Sequence, residues 1–407
     1  MQTERALIID HEARVRLAEP SDDERLIALL SRHVTAGDAR RRYDWIYRCN
    51  PQGPARTWLA VDPVSDEILG FTSIFARDYA VHGLVVQGGV GFDAFVPPCH
   101  RRRGLALRMH QHAHAAMLRG EVPYRFIAGT PTLANVRQLV RAGGRVIGRL
   151  RYLGLPLDAH GAELLFRRGQ AEHTRQLTGG WMIDRLLGAT RRLLLGGAGG
   201  LAARPLTTLD SSSFDNLWLR RAEQLAVVGR RDAAVLRWRY LENPVAPQEL
   251  IAIELGRQLL GWAAVELSPR GALVVDHLLP LDGTLLRRAM AALVAHLAER
   301  RVGRIMMRCN FDGPYARPLL RLGFLPGRHA DPFVLMGGSD LFQPSTAGWH
   351  FMAGDMNPET TPWRINSTPV DAEAPLAEVI RFVDDGANLP QPVSQRGSAS
   401  VSQVRAE

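Results

Sequence analysis

Two hydrophobic periods alternate along the first 156 positions. Short apolar or alternating runs over 14–18, 57–61, 67–75, 84–96, 124–128 and 150–156 predict strands. Apolar residues on the helical period over 21–33, 39–49, 105–118 and 133–141 predict helices between them. The second helix is expected to stop at Asn50-Pro51, because proline disfavours helix at the preceding residue. Strands interleaved with helices in this way predict an α/β domain with a mixed sheet.

The rhythm then repeats. Trp45-x-Tyr47-x-x-Asn50-Pro51 returns as Trp238-x-Tyr240-x-x-Asn243-Pro244. Leu69-Gly70-Phe71 returns as Leu260-Gly261-Trp262, Asp93 and Pro97 as Asp276 and Pro280, and Leu139, Arg141 and Gly143 as Leu319, Arg321 and Gly323. The matches are collinear and their spacing drifts slowly, as changes in loop length would produce, so the chain reads as a duplication. The second copy, from about 206 to 338, carries expected strands at 251–253, 259–265, 273–279 and 303–308, and a helix at 285–299. The repeated Trp-x-Tyr-x-x-Asn-Pro segment is read as a shared packing feature. The competing reading makes it the lining of an acceptor pocket.

Residues 157–205 form a linker whose stretch 181–195 is a leucine-rich helix with interspersed arginines, ended by Gly196-Gly197-Ala198-Gly199-Gly200. The favoured reading is a helix packed across the two copies; the second is a basic amphipathic helix lying on an anionic membrane surface. Residues 341–407 read as a largely disordered tail, with Trp349-His350-Phe351 able to dock and 391–407 poor in apolar residues.

Chemistry concentrates after the strand that ends at Val96. Val96-Pro97-Pro98-Cys99-His100-Arg101-Arg102-Arg103-Gly104-Leu105-Ala106 reads as a strand end, a turn and the first turn of a helix. A helix start has unpaired N–H groups and partial positive charge, which suit a pyrophosphate. Gly104 permits close backbone approach, Ala106 offers almost no side chain, and three arginines add charge. Val-x-Pro followed by Arg-x-x-Gly-x-Ala resembles the acetyl-coenzyme A motif of the GNAT N-acetyltransferase superfamily, over roughly residues 12–156.

The resemblance implies an α/β (α+β) fold of two tandem GNAT-like domains, each a mixed central sheet flanked by helices: 1–156 and a degenerate copy at 206–340. It implies that Arg101, Arg102, Arg103, Gly104, Leu105 and Ala106 hold the pyrophosphate of acetyl-coenzyme A as co-substrate. Val96 would meet the thioester carbonyl, and Asn135 would contact coenzyme A. The second copy has Leu281-Asp282-Gly283-Thr284-Leu285-Leu286 in place of the loop, and Asp282 would oppose a pyrophosphate there. Asp93 is the candidate base, although its repetition as Asp276 favours a structural role. The family's tyrosine acid aligns on Leu139 or Val140, which leaves Tyr152 on the last strand as the substitute candidate.

The implied activity is acyl-coenzyme A-dependent N-acylation, expected to be acetylation, of an amine on a small molecule or amino sugar by direct attack on the thioester. A coenzyme A-binding sensor or scaffold and a Fem-like aminoacyl transferase are the alternatives. No metal is expected: His110 and His114 share a helix face, but Gln111 stands where a zinc protease would have glutamate. The net charge of +9 rests entirely on arginine, since the chain has no lysine. It fits an anionic ligand, but no nucleic-acid motif accompanies it, so no nucleic-acid partner is expected. Cys49, Cys99 and Cys309 are sparse and widely separated, and the charged N-terminus does not read as a leader, so a reducing cytoplasm is expected.

Overall fold

The computed structural model describes residues 13–33, 37–166, 180–342 and 348–356, all within one compact unit. The expected disordered stretch 391–407 lies outside them. In the first half, β1 (Arg14–Leu17), β2 (Arg56–Val61), β3 (Ile68–Val81), β4 (Leu84–Phe95), β5 (Phe126–Gly129) and β6 (Gly144–Pro156) are interleaved with α1 (Asp23–His33), α2 (Ala39–Tyr43), α3 (Leu105–Leu118) and α4 (Leu133–Arg141). Helices α5 (Ala159–Phe166) and α6 (Gly180–Leu195) lead to the second half. There β7 (Leu201–Leu206), α7 (Ser211–Gln224), β8 (Val227–Gly229), α8 (Ala233–Leu236), β9 (Glu249–Leu255), β10 (Gln258–Ser268), β11 (Gly271–Leu278), α9 (Gly283–Glu299), β12 (Arg304–Asn310), α10 (Ala316–Arg321), β13 (Leu325–Gly337) and β14 (Trp349–His350) follow.

One mixed sheet holds these strands, in the order β1-β2-β3-β4-β5-β13-β6-β12-β11-β10-β9-β7. The order is symmetric about its centre. Strands β1 to β5 correspond to β7 and β9 to β12, and each half lends its last strand to the other. Strand β6 pairs with β12 from Arg304↔Pro156 to Asn310↔Leu150, β13 pairs with β5 from Val334↔Gly129 to Gly337↔Phe126, and β6 and β13 pair in the middle. Without the exchange, β5 and β12 would each present a row of unpaired backbone groups. The two halves thus share one sheet. The boundaries at 156 and 206 separate chain segments and do not break the sheet.

The linker and tail assigned from composition contribute strands to the fold. Strand β7 begins within 157–205 and pairs with β9 from Leu201↔Leu255 to Leu206↔Leu250. Strand β14 lies within 341–407 and pairs with β8, which in turn pairs with β3. Trp349, Phe351, Met352 and Met356 are buried in the largest apolar cluster, which joins both halves. Those four apolar side chains are the physical reason this segment does not behave as a solvated tail.

The repeated Trp-x-Tyr segment marks the symmetric junction. Both copies form a π-helical turn, Asp44–Arg48 and Arg237–Leu241. Trp45 Nε1 donates to Trp238 O at 2.9 Å and Trp238 Nε1 donates to Trp45 O at 3.0 Å, with the rings 5.4 Å apart. Reciprocal contact of this kind is the signature of a two-fold relation, here between halves of one chain. The tryptophans therefore serve packing.

Candidate active site

Strands β4 and β5 run parallel and pair at Gly89↔Ile127 and Val90↔Ala128. Beyond that point they diverge. The divergence follows from a bulge in β4: its pairing with β3 slips between Phe71 and Ser73, and Asp93 adopts φ +52°. Left-handed backbone at a non-glycine residue needs holding in place, and the Asp93 carboxylate does this. It accepts from Arg42 Nη1 and Nη2 at 2.7 and 3.0 Å and from Tyr47 Oη at 2.9 Å. The Arg42 and Asp93 side chains are 1% and 0% exposed. Burial, then the charge of Asp93, pushes the Tyr47 hydroxyl well above its ordinary range, so it remains a donor. The second half repeats the set. Arg231 Nε donates to Asp276 Oδ2 at 3.0 Å and Tyr240 Oη donates to it at 2.6 Å.

The candidate base Asp93 is thus also the centre of a buried clamp. A carboxylate clamped bidentately by a buried guanidinium orients the bulge. Tyr152 is the other catalytic candidate. It lies on β6 opposite Arg308, whose guanidinium sits 5.7 Å from its ring, and burial pushes its hydroxyl up to about 12. It is not among the residues lining the cleft.

The cleft between the diverging strands opens into a cavity of about 830 Å³, within the range of small-molecule sites. Val96, Arg101, Arg102, Ala106 and Asn135 line it, as does the bulge at Asp93. Arg101 Nε donates to Val96 O at 3.0 Å, which ties the loop to the strand end. Arg102 and Gly104 have φ +66° and +74°, and the turn they form delivers the chain into α3. Gly104 is the N-cap and supplies no side-chain acceptor, and a Cβ built there meets nothing within 4 Å. Its requirement is therefore conformational. The amides at the start of α3 are left to whatever occupies the loop. Leu105 is buried against the sheet and anchors the helix, while Arg103 is exposed; neither these two nor Gly104 lines the cavity with a side chain.

Sequence reasoning missed the pairing of His110 with Asn135. Both line the cavity, and His110 Nε2–H donates to Asn135 Oδ1 at 3.2 Å. Burial lowers the His110 pKa, with the Asn135 hydrogen bond opposing, so the ring is neutral at physiological pH. The bond turns the Asn135 amide nitrogen away from His110. His114 Nδ1 donates to Ala142 O at 2.8 Å, so this helix face joins α3 to α4. Among the described residues no three His, Cys, Asp or Glu side chains lie close enough to share a metal ion. On the other side of the sheet, His33 stacks on Phe95 at 4.4 Å beside the cleft.

The corresponding place in the second half is built differently. Strands β11 and β12 are also parallel. The N-terminus of α9 is capped by Asp282, whose Oδ1 accepts from Leu285 N at 2.8 Å. The C-terminal segment covers the strand ends: Asn310 N donates to Phe351 O at 2.9 Å, and His350 Nε2 to His277 O at 2.7 Å. The helix start that is open in the first half is thus closed here by a carboxylate.

No family model matches the chain, and no curated protein matches it. Solved structures match its fold. A probable N-acyltransferase of unknown function from Enterococcus faecalis V583 aligns at TM-score 0.54 and 11% identity, covering 79% of this chain and 72% of that one. The fold is the GNAT fold. A GCN5-related N-acetyltransferase from Anabaena variabilis ATCC 29413 aligns at 0.54 and 15%, covering 79% and 72%. Saccharomyces cerevisiae N-myristoyltransferase with bound myristoyl-CoA aligns at 0.51 and 11%, covering 82% and 81%. Coverage of this extent takes in parts of both halves of the chain.

Proposed function

We propose that the protein is an acyl-coenzyme A-dependent N-acyltransferase, with acetyl-coenzyme A as donor and an amine of a small molecule or amino sugar as acceptor. The observation that carries this reading is the glycine-capped start of α3 at the mouth of the cleft, beside Arg101 and Arg102. The pyrophosphate would sit on the α3 amides, with the two guanidinium groups neutralising it. Asn135, oriented by His110, would donate to an amide carbonyl of the pantetheine arm. The splayed ends of β4 and β5 would take the thioester, with the bulge at Asp93 fixing the strand that carries Val96.

The amine nitrogen would attack the thioester carbonyl to form the amide, the C–S bond would break to release the coenzyme A thiolate, and the proton lost by the nitrogen would end on that sulfur as the free thiol. Orientation of the two reactants accounts for much of the acceleration in such a site. The acceptor would enter from the His33–Phe95 side. With Asp93 held by Arg42 and Tyr152 outside the cleft, the sensor reading also draws support.

A thiol-release assay with acetyl-coenzyme A over a library of amines separates the two. Amine-dependent release of coenzyme A is expected. Tight coenzyme A binding with no release for any amine would overturn the enzymatic reading and leave the sensor.

A further inference from the structure

Helix α6 shows two unlike faces. Its inner side is fully engaged: Gly188 and Leu195 are buried, Arg191 Nη1 donates to Leu157 O at 2.9 Å, and Asp184 accepts from Ala159 N at 2.6 Å. Its outer side carries Met182, Leu186, Ala189 and Leu193, spaced i, i+4, i+7 and i+11 and so aligned along one face. Met182, Leu186 and Leu193 are 60%, 68% and 83% exposed, and Trp181 and Phe166 beside them are 63% and 67% exposed. Other exposed large apolar side chains among the described residues are scattered along the chain or paired at the β3–β4 hairpin tip. Scattered ones need no explanation, whereas an aligned stripe does.

The charge beside the stripe is of one sign. Arg185 and Arg192 are exposed and seven residues apart, so they run along one flank of the apolar face. Asp184, the helix's acidic residue, is turned to the Ala159 amide. With 16 residues, α6 is too short to cross a bilayer, and among the described residues no helix is long and apolar enough to do so.

We infer that α6 docks the protein on an anionic membrane surface. The Met182–Leu193 stripe enters the boundary between headgroups and acyl chains, Trp181 sits at that boundary, and Arg185 and Arg192 pair with lipid phosphates. A second copy of the chain would bring more arginine to this face, whereas an anionic bilayer brings the opposite charge.

Flotation of the full chain with phosphatidylcholine vesicles, with and without phosphatidylglycerol, tests this. The protein is expected to float with the anionic vesicles. Arg185→Gln and Arg192→Gln are each expected to weaken binding about fivefold. Leu186→Glu with Leu193→Glu is expected to abolish it while thermal melting stays that of the wild type, since both side chains are exposed. A wild type that stays at the bottom of the gradient would overturn the inference. So would a Leu186→Glu/Leu193→Glu protein that floats as well as the wild type. Light scattering that shows a wild-type dimer becoming a monomer in that variant, with no vesicle binding, would assign the face to self-association instead.

Discussion

Asp93 and Asp276 occupy the same station in the two halves, and each neutralises a buried arginine. Arg231 also holds Asp355, with Nη2 2.5 Å from Oδ2, so Asp276→Asn leaves it a counter-charge. Asp93→Asn withdraws the carboxylate that clamps Arg42. Breaking a buried pair from one side costs about 3–5 kcal/mol, so Asp93→Asn and Asp276→Asn are each expected to destabilise the protein by up to that order in denaturant titration. A fall in turnover of about 10²–10⁴-fold in Asp93→Asn with unchanged stability would instead make Asp93 a base. What was legible at this scale was local. The glycine and arginines of the loop after Val96 are consecutive, so their chemistry could be read from their order. The bonds from Arg42 to Asp93 and from His110 to Asn135 join residues on different elements, and no periodicity points to them.

At the scale of elements, most helices and strands follow the hydrophobic rhythm, and the departures have tertiary causes. Strand β3 was expected to end at 75 but continues through Arg77 and Asp78 to Val81. Those polar residues look like a break, yet Arg77 Nη2 donates to Asp355 Oδ1 at 2.6 Å and Arg230 Nη1 donates to Asp78 Oδ2 at 3.2 Å. Their partners lie far along the chain, so the extension is invisible in a local window. Asp355 bonds both Arg77 and Arg231 and has a fully buried side chain. Asp355→Ala would leave two buried guanidinium groups short of a carboxylate. It is expected to destabilise the fold by at least about 3–5 kcal/mol in chemical denaturation. Stability equal to the wild type would show that residues 349–356 are a dispensable cover.

For the whole molecule, the correspondence of the two halves was visible in ordered matches from Trp45 to Gly323, but the exchange of β6 and β13 was not. An apolar run reveals that a segment is a strand; its neighbour is set by which edge is left open once both halves have formed. In the exchange each half closes the other's sheet. The first copy keeps an open, glycine-capped helix start beside a cleft, and the second closes the same place with Asp282 and the C-terminal segment. On the proposed reading, one coenzyme A site per chain is expected. Isothermal titration calorimetry of coenzyme A into the full-length protein and into Gly104→Asp tests this most directly. The variant puts a left-handed backbone strain and a negative charge where the pyrophosphate would lie. The expected result is one site per chain, with affinity falling at least about tenfold, or ~1.4 kcal/mol, in the variant. Two sites per chain, no binding by the wild type, or equal affinity in Gly104→Asp would contradict it.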